Sequence, residues 1–290
     1  MPYTGGGITD VTTRLVTNKM STALGQPIVV DNRPGANSIL GSDLAAKSPA
    51  DGYTMVTVIA GYSANVTLYS GKLPFDPLKD LVPVSLVAVA PLIMTVNPGL
   101  PVKDVKELIA YAKANPGKLN FGSSGIGAAA HLTCELFKQT TGIDMVHVPF
   151  KGTAPAMQAA MANDIQILVD TPSSLMPQVR GGKLKALGMF SAKRLPAYPE
   201  VPTLAEAGGP ALESSTWVMF MAPGGTPRPI IERLSTEAGK ALKEVDVRDK
   251  LAQTGIEPVG STPEQTRQFL DAEIAKWAKV INTAGVKAEQ

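Results

Sequence analysis

The sequence has almost none of the residues that build disulfide frameworks or metal centres. Its 290 residues include one cysteine, Cys134, and two histidines, His131 and His147. A single cysteine excludes a disulfide framework and a thiolate metal site, and the helical, apolar setting of Cys134 favours a place in the core. Two histidines are too few for a histidine-based metal centre. We therefore expect no metal site.

Strong net charge and long apolar runs are missing as well. Lys and Arg number 27 against 25 Asp and Glu, so the net charge of +2 gives no field for a nucleic-acid partner. No apolar run approaches the ~20 residues needed to span a bilayer; the longest, Val84–Val96, is interrupted by Ser85 and Pro91. With 44% hydrophobic and 18% charged residues, the chain can build a packed core, and its length suits two domains.

Strand and helix patterns alternate along the chain. Ile28–Asn32 and Tyr53–Ile59 are rich in β-branched and aromatic residues and predict strands, whereas apolar residues at helical spacing over Val105–Ala112 predict a helix. Thr262–Gln265 has the pattern of a capping box that opens the last helix. The alternation predicts an α/β fold with mixed but mostly parallel sheets and helices on both faces.

Two proline-rich places indicate where the chain crosses between domains. They are Val96–Pro101 and Met221–Pro227, and they divide the chain into residues 1–98, 99–221 and 222–290. We expect the first and last parts to form one discontinuous domain and residues 99–221 to form the second. A ligand cleft between two such domains is the architecture of a hinged binding protein.

Two glycine-rich turns each precede a predicted helix. They are Thr4–Asp10 and Gly122–His131. Glycines let backbone N–H groups point outward, and a helix N-terminus adds free donors and partial positive charge. Such a turn binds an anion without Arg or Lys. The alternative is that both are ordinary tight turns between strand and helix.

The second turn also fits a dinucleotide-binding pattern over Gly125–Ala130. That pattern requires an acidic residue at the end of the next strand, about 20 positions on. Asp144 has the distance but precedes the strand Met145–Val148. No nucleotide or other cofactor is therefore expected.

Catalysis is the second alternative. Ser124, His131 and Asp170 are the residues from which a Ser–His–Asp set would be built, yet the serines of the turn do not form a Gly-x-Ser-x-Gly elbow. His131 also follows Ser124 on the same segment, where its structural role is to support the loop. We expect a chain that is not an enzyme.

Further polar residues follow predicted strands, where open α/β sheets bind ligands. They are Tyr62, Ser63 and Asn65; Phe150, Lys151, Gly152 and Thr153; and Asp170, Thr171 and Ser173. Asp170 follows four apolar residues, so we expect it to be partly buried, as a ligand contact or as a cap of the next helix.

Several ordered motifs resemble one family over essentially the whole chain. They are Tyr3–Asp10, Val30–Ala36, Gly41–Gly52, Phe121–His131, Val148–Gly152, Pro199–Thr203 with Glu206–Gly208, and Ala222–Pro227. In this order and spacing the chain resembles the substrate-binding proteins of the tripartite tricarboxylate transporters, the Bug proteins. The resemblance implies a two-domain periplasmic-binding-protein fold of type II, a Venus flytrap, that captures a small mono- or dicarboxylate for membrane transporter subunits.

The resemblance also implies which residues hold the ligand and where the protein works. The candidate ligand-binding residues, taken from the resemblance and from the strand ends, are Tyr3, Thr4, Gly7, Ile8, Thr9, Asp10, Ser63, Asn65, Ser123, Ser124, Ala128, His131, Phe150 and Asp170. A periplasmic monomer is expected, although no export signal is visible in this sequence.

Two departures from the family pattern accompany these expectations. Gly127-Ala128 stands where the family commonly has Gly-Ser, so only the backbone donor is retained there. A glycine turn at Gly5–Gly7 leads us to expect a signal peptide and a first strand upstream. The alternatives to a receptor are an α/β enzyme that acts on an acyl or carboxylate substrate and a module that presents its ligand to a sensor.

Overall fold

The structure is a computed structural model that describes residues 1–3, 5 and 7–288. Its residue contacts divide the chain into two compact units. Unit 1 comprises Met1–Val89 and Trp217–Ala278, and unit 2 comprises Ala90–Thr216 and Lys279–Gln290. The domain boundaries predicted at the proline-rich places stay predictions.

Helices and strands alternate over most of the chain. The helices are α1 Ile8–Leu24, α2 Ile39–Ala46, α3 Gly61–Leu68, α4 Val105–Ala114, α5 Ala129–Thr141, α6 Thr153–Ala162, α7 Pro172–Arg180, α8 Arg228–Lys243, α9 Val245–Gln253 and α10 Pro263–Ala284. The strands are β1 Val56–Ile59, β2 Leu81–Pro91, β3 Ile93–Val96, β4 Asn120–Ser123, β5 Val146–Pro149, β6 Ile167–Asp170, β7 Lys185–Met189, β8 Ser215–Pro223 and β9 Glu257–Pro258. The predicted α/β class is confirmed.

Unit 1 contains a sheet with the strand order β1-β8-β2-β9. The pairs β1–β8 and β2–β9 are antiparallel. The carboxylate of Glu273 on α10 accepts hydrogen bonds from the buried indoles of Trp217 and Trp277, at 3.0 and 2.9 Å, and so fixes α10 to β8. The predicted capping box is present at the start of α10, since Thr262 and Gln265 each donate a backbone N–H to the other's side chain.

Unit 2 contains a five-stranded sheet with the order β5-β4-β6-β3-β7. Strand β4 is parallel to β5 and β6, whereas β3 is antiparallel to β6 and β7. The unit 2 sheet is therefore mixed, as predicted, but the expectation of mostly parallel pairing is wrong. Strand β3 lies between β6 and β7 and is antiparallel to both, because the alternation of strands and helices in a sequence does not fix the direction of each strand in its sheet.

Helices cover both faces of the unit 2 sheet. Along β3, Met94 packs into one apolar cluster and Ile93 into the other, because successive side chains of a strand point to opposite faces. Cys134 and Phe137 of α5 belong to the first cluster, and Ala156 of α6 to the second. The prediction that Cys134 is a core residue is confirmed, and burial raises the pKa of its thiol.

The segment Ile28–Asn32, predicted as a strand, is extended but belongs to no sheet of the described residues. Among the described residues, Met1 makes backbone hydrogen bonds along this segment as a neighbouring strand would. The Met1 amino group donates to the Asp31 carbonyl at 2.6 Å, and the Arg33 N–H donates to the Met1 carbonyl at 2.8 Å. A groove of about 1060 Å³ lies between this segment and β1. The strand prediction is wrong because one paired residue does not make a ladder.

Candidate functional site

The first glycine loop opens α1 in unit 1. Gly7 is the N-cap of this 17-residue helix, has extended backbone angles and is exposed. No described side chain caps the helix, so the first turn of α1 keeps backbone donors available. Among the candidate residues here, Ile8 is half-buried and Thr9 is buried, while Thr4 lies outside the described residues.

Tyr3 anchors this loop to the end of β1. Its hydroxyl accepts the Ile59 N–H at 3.1 Å, and burial raises the pKa of Tyr3 to about 12 despite hydrogen bonds from Ser38 and Ile59. The phenol is thus neutral. Its position identifies Tyr3 as a support of the loop.

Asp10 braces the same loop through α1 and the extended segment. Its Oδ1 accepts hydrogen bonds from Arg14 Nε at 3.0 Å and Asn32 Nδ2 at 3.3 Å. Asn32 Nδ2 also donates to the Tyr3 carbonyl at 2.9 Å. The Asp10 side chain is 9% exposed and paired with Arg14, so its negative charge is compensated within unit 1.

Ser63 and Asn65 lie on α3, and both side chains bond within unit 1. The Ser63 hydroxyl donates to the Ala60 carbonyl at 2.6 Å and is fully buried. Asn65 Nδ2 donates to the Asn37 carbonyl at 2.8 Å, and Asn37 Nδ2 donates back to Asn65 Oδ1 at 2.7 Å. These bonds hold Ala36–Ser38, three consecutive non-glycine residues with φ of 45°, 51° and 71°. Each such conformation costs of order 1–3 kcal/mol, and the Asn65 amide stabilises it here.

The second glycine loop connects β4 to α5 in unit 2. Gly125 has φ +140° and Gly127 φ +78°, conformations that favour glycine. Ala128, half-buried, is the extended N-cap of the 13-residue α5, and no described side chain caps it. The loop is fastened to the chain after β5, because the N–H groups of Phe150 and Gly152 donate to the carbonyls of Ser123 and Ser124 at 3.0 and 3.2 Å.

Two stacked imidazoles lie under the second loop. His131 Nδ1 accepts the Gly127 N–H at 3.1 Å, and its ring lies on that of His147 with centroids 3.7 Å apart and an interplanar angle of 9°. His147 Nε2 lies 2.7 Å from Ser123 Oγ. Burial, then the neighbouring His147 and Lys138, lower the pKa of His131 to about 3, and burial and Lys138 lower the pKa of His147 to about 4. Both rings are therefore neutral near pH 7.

Sequence reasoning missed His147. The feature that would have revealed the role of His147 is the pairing of β4 with β5, which sets His147 opposite Phe121. Strand residues two apart share a face, so Phe121 and Ser123 both lie on the side that the His147 ring reaches. A sequence alone does not reveal this register.

Asp170 ends β6, beside the second loop. Strand β6 is parallel to β4, with Gly122 opposite Leu168, so Asp170 and Ser124 are at the same edge of the sheet. Its carboxylate accepts the Thr153 hydroxyl and the Thr171 N–H, both at 2.7 Å, and burial raises the pKa of Asp170. Phe150, the remaining candidate, is half-buried against the cluster that includes Leu168.

The structure does not assemble the Ser124–His131–Asp170 set. The Nδ1 atom of His131 is bonded to Gly127, and the oxygens of Asp170 are bonded to Thr153 and Thr171. The described residues contain no group of three His, Cys, Asp or Glu side chains that could hold a metal ion. No helix among them is both long enough and apolar enough to cross a membrane.

Two α/β units, each with a glycine loop that opens a helix, are the arrangement expected of a solute-binding protein. A model of the tripartite tricarboxylate transporter family receptors matches residues 12–286, so the chain belongs to this family. The chain is 38% identical to protein BugT of Bordetella pertussis, over 99% of this chain and 88% of BugT.

Solved structures agree with this assignment. A Rhodopseudomonas palustris protein, Rpa4515 with adipate, shares 37% identity at a TM-score of 0.88, over 99% of this chain and 96% of that one. MatC from Rhodopseudomonas palustris with bound malate shares 34% identity at a TM-score of 0.82, over 97% and 96% of the two chains. The predicted fold and family are confirmed.

Proposed function

We propose that this protein is an extracytoplasmic receptor that binds a small mono- or dicarboxylate and delivers it to a tripartite tricarboxylate transporter. The observation that carries the proposal is the loop from Ser123 to Ala128. It is built on neutral groups and opens a 13-residue helix that no described side chain caps, so the donors available to an anion are the backbone N–H groups in the first turn of that helix. The first loop has the same chemistry at Gly7. Similar proteins hold adipate and malate, which are both carboxylates.

The expected affinity follows from the kind of donor. A hydrogen bond from a backbone N–H to a charged group is worth about 1.5–3 kcal/mol. Three or four such bonds, together with the partial charge of a helix N-terminus, support micromolar binding after the cost of association. Lys151 is exposed and is not required in this account.

Catalysis is the second candidate, and one contact favours it. Ser123 Oγ lies 2.7 Å from His147 Nε2, the geometry of a nucleophile beside its base. Ser123 is fully buried, however, and a pKa of about 4 makes His147 a weak base. We therefore propose binding without turnover.

Membership of the family supports a proposal for the location and the partners of the protein. We propose that the protein acts in the periplasm as a monomer and that its partners are the membrane subunits of the transporter. Family members are periplasmic receptors that work with such subunits. A sensor role would require the same ligand site and a different membrane partner.

Calorimetry with adipate and with malate tests the proposed function, and the uncharged diamide of each acid is titrated separately as the control. We expect micromolar binding of at least one acid, no heat from the diamides, and full recovery of unchanged acid after long incubation. Sizing by light scattering should give one chain. Failure of a wider panel of organic acids to bind below about 1 mM would contradict the receptor function, and any product would contradict binding without turnover.

A further inference from the structure

The two ends of the second loop are held by two rings that touch each other. His147 contacts Ser123, where the loop begins, and His131 accepts the N–H of Gly127, where the loop ends. The ring centroids of the two histidines are 3.7 Å apart. The ring of Phe121 extends the stack, 5.0 Å from that of His147.

The hydrogen bonds around Ser123 determine where the His147 proton lies. Ser123 Oγ lies 3.0 Å from the Gly125 carbonyl and accepts the Gly125 N–H at 3.3 Å. A hydroxyl has one hydrogen, and when Gly125 O receives it, Oγ accepts from His147. His147 then donates from Nε2, which is the neutral tautomer that satisfies all three contacts.

We infer that His147 is a positioning residue of the second glycine loop, which it shapes through the Ser123 hydroxyl and through its stack on His131. The inference rests on the proposed function of that loop. Ser123 Oγ ties the loop back on itself at Gly125, so the direction of the backbone donors depends on how His147 orients this hydroxyl. His147 itself has no need to touch the ligand.

The charged groups near the two stacked histidines do not orient the Ser123 hydroxyl. Lys138 lies 5.7 Å from the centre of the Phe121 ring and is paired with Glu135 at 3.0 Å, both on α5. The positive charge of Lys138 is thus largely compensated by Glu135, and it lies over the ring of Phe121. Apart from the two histidines, Lys138 is the titratable group that shifts the pKa of His147.

Four variants separate positioning from general stability. In His147→Gln the amide nitrogen replaces the Nε2 donor, whereas His147→Phe keeps an aromatic ring without a donor. Ser123→Ala removes the shared hydroxyl. Asn97→Ala is the matched control, because Asn97 donates to the Ala160 carbonyl at 2.8 Å and follows β3, which ends at the opposite edge of the sheet.

The readouts are the Kd for the carboxylate, by calorimetry, and amide hydrogen exchange at Gly125 in the ligand-free protein. We expect His147→Phe to weaken binding at least tenfold and to speed Gly125 exchange at least tenfold, with His147→Gln within about threefold of the parent in both. Combining His147→Phe with Ser123→Ala should weaken binding no more than the worse single change. Asn97→Ala should lower Tm while leaving Kd and Gly125 exchange unchanged.

The inference is overturned if His147→Phe binds as tightly as the parent, or if His147→Gln loses as much as His147→Phe. If the parent protein binds no carboxylate, the proposed function fails. Gly125 exchange then still decides whether His147 positions the loop, since that measurement needs no ligand.

Discussion

The imidazole of His131 lies flat against that of His147, with an interplanar angle of 9°. This contact requires a neutral His131, because a protonated Nδ1 could not accept the Gly127 N–H, and it disfavours charge on both rings, because two imidazolium ions at 3.7 Å would repel. The relationship makes the second loop sensitive to acid. It also means that a carboxylate bound there meets no histidine charge at neutral pH.

Folding stability should fall with acid below the ordinary histidine pKa. The folded-state pKa values, about 3 for His131 and about 4 for His147, lie below the unfolded value of 6.5. The unfolded chain therefore binds more protons below about pH 6.5, and stability is lost as the pH falls from there toward 4 and 3, by at most about 1.4 kcal/mol per pH unit for each histidine. Urea unfolding at pH 7.5, 6, 5 and 4 measures the slope.

His147→Gln is the control for this pH dependence and should give a shallower slope between pH 6 and 4. Ligand affinity in the parent protein should stay flat from pH 8 to 6, because neither ring gains a proton there. An affinity that rises steeply as the pH falls through 6.5 would mean that an imidazolium binds the anion, contrary to this account.

Asp10→Ala should destabilise unit 1. The change leaves Arg14 Nε and Asn32 Nδ2 without their shared acceptor, and bonds to a charged acceptor contribute about 1.5–3 kcal/mol each. Because Arg14 is half exposed and can turn to water, we expect a net loss of about 2 kcal/mol. Asp31→Ala is the matched control: its ion pair with Arg33 is exposed on both sides and is worth less than about 1 kcal/mol. Equal losses of unfolding free energy in Asp10→Ala and Asp31→Ala would show that Asp10 does not stabilise this loop.

Asn65→Ala should release the left-handed turn Ala36–Ser38. It removes two partly buried amide hydrogen bonds that hold this strained segment, with an expected loss of about 2 kcal/mol in urea unfolding. Asn115→Ala, which removes one bond to the Tyr111 carbonyl at 3.0 Å, should cost about half as much. If Asn65→Ala is as stable as the parent protein, other contacts hold the turn.

Local rules predicted local structure well. The capping box of Thr262 and Gln265 and the glycine turns that open α1 and α5 all depend on residues a few positions apart, which a sequence displays directly. The site was harder to predict where it depends on distant partners. Asn65 supports a turn 28 residues away and His147 meets a serine 24 residues away, and no periodicity encodes such contacts. The antiparallel direction of β3 likewise depends on a distant partner, since β3 pairs with β6 more than 70 residues further along the chain.

The most direct test of the account measures, by calorimetry, how Gly7→Val and Lys151→Ala each change the affinity for whichever acid, adipate or malate, the parent protein binds. A Cβ at Gly7 would meet no atom of the described residues within 4 Å, its chain neighbours aside, and the φ of −79° suits any residue. The valine variant should therefore fold normally while its side chain covers the donors at the start of α1. We predict that Gly7→Val abolishes measurable binding and that Lys151→Ala weakens binding less than tenfold, with both variants folded by circular dichroism. Binding lost in Lys151→Ala but kept in Gly7→Val would contradict the account, because a lysine salt bridge would then hold the ligand.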